Sequence, residues 1–265
     1  MRVFISADIE GTTYTTLWGE TNLGYHTHAA AAKQMTAEVL AACEGAIAAG
    51  ATEIVVKDAH DDAVNIDPTV LPECVSVIRG WSGDPMGMVE GIDESFDAVM
   101  FVGYHAAAGR NGNPLSHTET RKTTTVKLNG KPCSEYMLFS WACALKGVPT
   151  VLLCGDKNLI DDSEGLHPKA KLVAVKDGFG GATRSLNPNL TCKMIRAAAE
   201  EALKQDLSDA GVTLPEHFVF EVSFREHPDA VRRSFFPGFK QTGDHTITME
   251  TDNFMDVLTA VQFVC

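Results

Sequence analysis

Three short apolar runs each end in polar residues that could bind a metal or move a proton. Asp8 and Glu10 follow Val3–Ala7, Asp58 and His60 follow Glu53–Lys57, and Tyr104 and His105 follow Ala98–Val102. Carboxylate and neutral imidazole are ligands that suit zinc and other divalent first-row ions. A set without cysteine, mixing oxygen and nitrogen, has the character of a catalytic site more than of a structural one. An Asp shared between two cations, with Glu and His completing each, can hold them a few ångströms apart. Such a pair acidifies a common water and polarises a carbonyl. Taken singly, each residue has a plainer reading. A strand-end Asp is usually a cap or turn former, and a lone His is usually a surface or hydrogen-bonded residue. The convergence of several is what points to chemistry. His117, in the loop Pro114–Thr118, and Glu135, at the start of a predicted helix, are further candidates. Asp58 reads as a partner that supports its neighbours, and Asp61 and Asp62 as a solvated turn. His26, His28, His167, His217, His227 and His245 end no apolar strand and are read as structural.

These residues meet only if particular elements carry them. Alternation in Val3–Ala7 predicts a first strand, and Met35, Val39, Cys43 and Ile47 form a four-residue stripe on a helix over about 27–49, with Gly50 as its stop. The β-branched run Glu53–Lys57 is typical of a buried parallel strand, and Val75–Ile78 and Ala98–Val102 continue the pattern. Asn129-Gly130 signals a hairpin. A helix over 134–146, a strand over 149–154, a strand at Leu172–Val175 and a helix over 189–205 follow. Strands at Phe218–Val222 and Thr246–Met249 and a last helix at Asp252–Phe263 close the chain. Leu207–Pro215 is the expected surface loop. The simplest reading is one α/β domain over residues 1–265 with a mostly parallel sheet, a distinct subregion from about residue 190, and later strands added as an antiparallel edge. In a parallel sheet all strand carboxyl ends share one edge, where ligands bind in open α/β folds. That logic gathers Asp8, Glu10, His60 and His105, and spacing at i, i+2 lets Asp8 and Glu10 face one side.

Composition narrows the function. A formal net charge of −13 over 265 residues argues against nucleic acid or an anionic membrane as partner, because both need a basic face. The seven cysteines are odd in number, dispersed and without a CxxC pair. They predict free thiols in a reducing compartment, by default the cytoplasm. No apolar stretch approaches membrane-spanning length. Gly178–Gly181 is too short and misplaced for a dinucleotide fingerprint, and no GxSxG elbow, HExxH helix or P-loop occurs.

At the same residues the chain resembles a known family, the binuclear-zinc D-aminopeptidases of bacterial dipeptide-transport operons. The matching pieces are Ser6–Gly11, Val56–His60, Val102–Ala106, Leu115–His117 and Glu135 in Pro132–Glu135, with Met88–Asp93 and Val148–Leu152 between them. The likeness runs over nearly the full length and thins after about residue 180. It implies a three-layer α/β/α fold with a mixed, mostly parallel sheet, and two divalent metal ions per subunit, zinc by type. It also implies that Asp8 bridges the pair, with Glu10 and His105 on one ion and His60 and Glu135 on the other. His117 takes the place of the family's catalytic histidine, assigned there as a nucleophile. General acid/base work or transition-state stabilisation suits it better here, since an activated water already serves as attacker. The implied reaction is removal of the N-terminal residue from short peptides, with the D-preference left open. The implied assembly is a homo-oligomer, a decamer of two pentameric rings. The alternatives are another binuclear metallohydrolase (amidase or phosphoesterase) and a non-catalytic metal-containing binding protein. The chain departs from the family pattern at Thr12–Trp18 and at Gly155–Lys157, both expected at the pocket.

Overall fold

A computed structural model describes residues 1–265. In chain order the elements are β1 (Arg2–Ala7), α1 (Trp18–Thr21), α2 (His28–Ala48), β2 (Glu53–Asp58), β3 (Val75–Ile78), β4 (Ala98–Tyr104), β5 (Thr123–Leu128), β6 (Lys131–Pro132), α3 (Glu135–Leu145), β7 (Thr150–Asp156), α4 (Lys157–Asp162), β8 (Lys171–Phe179), β9 (Ala182–Ser185), α5 (Pro188–Leu203), β10 (Phe218–Phe224), α6 (His227–Arg233), β11 (Phe239–Gln241), β12 (Thr246–Thr251) and α7 (Phe254–Val264). β1 to β4, β7, β8 and β9 form a seven-stranded sheet in the order β3-β2-β1-β4-β7-β8-β9. All neighbours in it are parallel except the β8–β9 hairpin. The predicted α/β class and mostly parallel sheet are therefore present.

The strands read as apolar runs because both faces of the sheet are covered. On one face α2 and α5 pack over Val3, Ile5, Ile54, Val56, Met100 and Val151. On the other, Phe4, Val99 and Phe101 share a core with Tyr136 and Phe139 of α3, Phe218 and Phe220 of β10, and Val257 of α7. Met35, Val39 and Cys43 of α2 are fully buried as their stripe predicts, but Ile47 is exposed. The buried alanines 31, 42 and 46 carry the rest of that face instead, because small side chains let α2 lie close to α5 and the sheet.

The later strands do not extend the parallel sheet. β5, β6, β10, β11 and β12 form a separate antiparallel sheet in the order β11-β12-β10-β5-β6. The only antiparallel edge of the first sheet is β9. The pairing of β5 with β10, about a hundred residues apart in sequence, leaves no local signature. The hairpin at Asn129-Gly130 is present, with both residues at positive φ (51° and 77°), as a two-residue turn between right-twisted strands requires. No helix is long and apolar enough to cross a membrane. All seven cysteines are free thiols.

Candidate metal centre

β1, β2 and β4 lie side by side and parallel, so their carboxyl ends deliver Asp8, His60 and His105 to one edge. β1 stops at Ala7, and Asp8 and Glu10 project from a turn, not from continuing strand. That turn is pressed against the end of β4. The Gly11 N–H donates to the Gly103 carbonyl at 2.7 Å, and a Cβ on Gly11 would stand 1.7 Å from the Tyr104 carbonyl oxygen. Only glycine fits there. Glu135 comes from a separate element, as the first residue of α3, whose cap is Ser134 accepting the Met137 N–H at 3.1 Å.

The side chains converge closely. His60 Nδ1 lies 3.2 Å from Asp8 Oδ1 and 2.9 Å from Glu10 Oε2. His105 Nε2 lies 3.4 Å from Asp8 Oδ2 and 3.0 Å from Glu135 Oε2. The two oxygens of Asp8 thus face two different imidazoles. His117 stacks on His105, with ring centroids 4.4 Å apart and planes 4° from parallel, and its Nε2 is 3.7 Å from Glu135 Oε1. One ligand-type atom each from Asp8, Glu10 and His105 lies within 4.8 Å of the others, and the same holds for His105, His117 and Glu135. All six predicted residues are therefore brought to one place.

The hydrogen bonds behind the imidazoles define what they present in front. His60 Nε2 donates to the Thr21 carbonyl at 2.7 Å, His105 Nδ1 to its neighbour Ala106 at 3.0 Å, and His117 Nδ1 to Leu115 at 2.9 Å. A carbonyl can only accept, so each ring has one N–H committed and its other nitrogen aimed at carboxylates. This is the arrangement by which metal-binding histidines are oriented. Lone pairs facing carboxylate oxygens repel unless a cation or proton lies between them. Asp8 Oδ2, Glu10 Oε2 and His105 Nε2 are buried and make no well-directed hydrogen bond, although the nearest imidazole or carboxylate atom stands only 2.9–3.4 Å away, an expensive condition for three polar atoms in one cluster. The donor set and these orphaned atoms fit divalent cations. Without cations, protons take their place. Burial, reinforced by Glu10, raises the Asp8 carboxyl to about 8 despite the His60 hydrogen bond. Burial alone would lower His105, but the Glu135, Asp8 and Glu10 carboxylates outweigh it and raise the imidazole to about 10. His117 moves the opposite way, lowered by burial and by the charge of His105.

Several residues brace the cluster from behind; Asn113 and Lys176 escaped the sequence reading, and Asp156 was expected in the pocket instead. Asp156, at the end of β7, accepts the Ala106 N–H at 2.8 Å and the Asn113 amide at 3.1 Å. Asn113 and the buried Lys176 ammonium both donate to the Glu10 carbonyl. The stretch around Asp156 is thus behind the site and not in the pocket. Asp58 supports the site as expected, accepting from the Asn65 and Ile66 N–H groups and the Asn65 amide while that amide also holds the His60 carbonyl. The other departure does reach the pocket. α1 is tied by the Thr21 carbonyl to His60, and this places Trp18 edge-on to His117 at 5.3 Å.

A cavity of about 500 Å³ opens over the cluster, with Asp8, Glu10, His60, His117 and Glu135 at its floor and Trp18 and Trp81 in its walls. His105 lies behind this surface. Trp81 is set by a buried ion pair. Lys57 Nζ is 2.9 Å from Glu90 Oε1, donates to the Gly80 carbonyl, and sits 4.0 Å under the Trp81 ring, whose N–H donates to Asp61. Removing one partner leaves the other charge buried and unpaired, which costs about 3–5 kcal/mol. Glu90→Ala is accordingly expected to lose roughly that much stability, read as a lower denaturation midpoint at unchanged slope. A change below about 1 kcal/mol would show that the pair is hydrated.

A parallel α/β sheet whose strand ends assemble buried carboxylates and oriented imidazoles under a peptide-sized cavity defines a metal-dependent hydrolase by class. The chain belongs to the D-aminopeptidase family, whose model matches residues 1–263. It is 26% identical over 263 residues to the D-aminopeptidase of Bacillus subtilis (strain 168), covering 98% of this chain and 95% of that protein. It is similar in structure to the Zn-dependent D-aminopeptidase DppA from Bacillus subtilis, a self-compartmentalizing protease. The TM-score is 0.89 at 25% identity, over 98% of this chain and 95% of that one.

Proposed function

We propose that this protein is a zinc-dependent aminopeptidase that removes the N-terminal residue, a D-amino acid, from short peptides. The observation that carries the reading is the cluster of buried carboxylates and lone-pair-directed imidazoles, with three orphaned polar atoms, opening into a cavity that suits a small ligand. Asp8, Glu10, His60, His105 and Glu135 would hold the cations, with Asp8 shared; the shortest contacts group Glu10 with His60 on one side of Asp8 and Glu135 with His105 on the other. Two such cations supply an acidified water and a polarised scissile carbonyl. This chain's own residues do the rest. Thr21 and Ala106 orient the imidazoles of His60 and His105 through their carbonyls. His117 is the proton carrier: Leu115 fixes its N–H, burial keeps it neutral, and Nε2 accepts the proton of the attacking water and returns it to the leaving nitrogen. Trp18 and Trp81 supply aromatic surface to the same cavity.

The reading takes residues 1–265 as one catalytic domain, because strands of both sheets contribute to one core. It places the protein in the cytoplasm as a homo-oligomer of ten subunits in two pentameric rings, supported by the free thiols and by the self-compartmentalizing relative. The test is turnover of paired D- and L-aminoacyl dipeptides by the purified zinc-loaded assembly, with its sedimentation mass recorded. The D-peptide is expected to be cleaved at least about tenfold faster, roughly the worth of one misplaced contact. Phosphoester turnover without peptide turnover would overturn the reading.

A further inference from the structure

One side of the cavity carries charge that neither the metal cluster nor the proton carrier uses. Arg121 and Lys122 line it, in a chain with a formal net charge of −13. Neither side chain makes an ion pair, and the Arg121 guanidinium donates no hydrogen bond to the protein. It is laid 4.2 Å over the Trp18 ring, a cation–π contact that holds the fork while leaving its N–H edges free. Trp18 in turn stands 5.3 Å from His117. An adjoining shallow cavity of about 250 Å³ shares Arg121 and Lys122 and adds Arg225, whose backbone N–H donates to the Lys122 carbonyl at 2.8 Å. Of the two acidic residues there, Asp229 is occupied by Arg233 at 2.5 Å, which leaves Glu226 against three cations.

From these contacts we infer that Arg121, presented by Trp18, is the specificity residue that binds the C-terminal carboxylate of the peptide. A planar guanidinium with free N–H groups matches a carboxylate bidentately. The two ring separations put it within about 10 Å of the His117 ring, and an extended residue spans about 3.5 Å. A peptide held by its first carbonyl at the metal cluster therefore brings the carboxylate of its second or third residue to Arg121. Lys122 and Arg225 add attraction for the same charge from the flank. The preferred substrates are thus di- and tripeptides with a free carboxylate, and the discrimination is built into the subunit itself. The inference rests on the aminopeptidase reading.

The experiment compares a dipeptide free acid with its C-terminal amide, in wild type and Arg121→Gln. Wild type is expected to favour the acid by about 10- to 100-fold in kcat/KM, the worth of a hydrogen bond to a charged group. Most of the difference should lie in KM and shrink with added salt. Arg121→Gln should bring the acid-to-amide ratio close to one, while Arg121→Lys, which keeps the charge but not the fork, should retain part of it. If Arg121 only props Trp18, the variant lowers acid and amide alike and the ratio stays, which overturns the inference. Equal turnover of acid and amide by wild type also overturns it while leaving the aminopeptidase reading intact. If wild type cleaves neither, that reading fails, and calorimetric binding of the same pair decides the carboxylate site alone. Tighter binding of the acid, lost in Arg121→Gln, supports it; equal affinities reject it.

Discussion

Asp8→Ala is expected to empty both metal positions and to cut peptide turnover to below about one-thousandth of wild type. Loss of a residue that merely orients a ligand costs about 10- to 100-fold, and a ligand shared by two cations should cost more. The reasoning is geometric: Asp8 Oδ1 faces His60 and Asp8 Oδ2 faces His105, so one carboxylate joins two half-sites. Metal content by atomic emission is the direct readout, and retention of two equivalents would refute the bridging role. A second readout follows from protonation. The metal-free site holds protons at neutral pH, since Asp8 is raised to about 8 and His105 to about 10. Zinc binding must displace them, so unbuffered titration should release protons and affinity should rise with pH. Asp8→Ala should release fewer.

His117→Ala is expected to lower turnover by about 10²- to 10⁴-fold, the usual worth of a positioned proton carrier, with both metals retained. Retention is the informative half. His117 Nε2 lies near Glu135 and belongs to a set compact enough to hold a cation with His105 and Glu135. If metal is lost, His117 is a ligand and the proton must travel by another route. The pH profile separates the cases further. His117 works as a base only when unprotonated, and burial and the neighbouring His105 lower its pKa below the ordinary 6.5. The acid limb of kcat/KM should therefore fall below pH 6.5 and vanish in the variant.

The sequence by itself determined the central strands and what stands at their ends. Apolar runs of β-branched residues are local signals, and a parallel sheet converts them into shared geometry because all carboxyl ends fall on one edge. Asp8, Glu10, His60 and His105 were legible for that reason. Glu135 and His117 were only candidates from pattern, since they come from a helix start and an aperiodic loop and not from a strand end, and family resemblance gave them roles. Tertiary structure alone decided that β5 and β10 to β12 make their own sheet, that Lys176 and Asn113 grip Glu10 from 166 and 103 residues away, and that Asp156 braces Ala106. The same holds for Trp18 and Arg121, which meet at the cavity mouth. Such contacts join segments with no common period, so nothing in either segment announces the other. The metal-type donors announce themselves by residue type and strand position, whereas the walls that choose a substrate exist only once the chain has closed on itself.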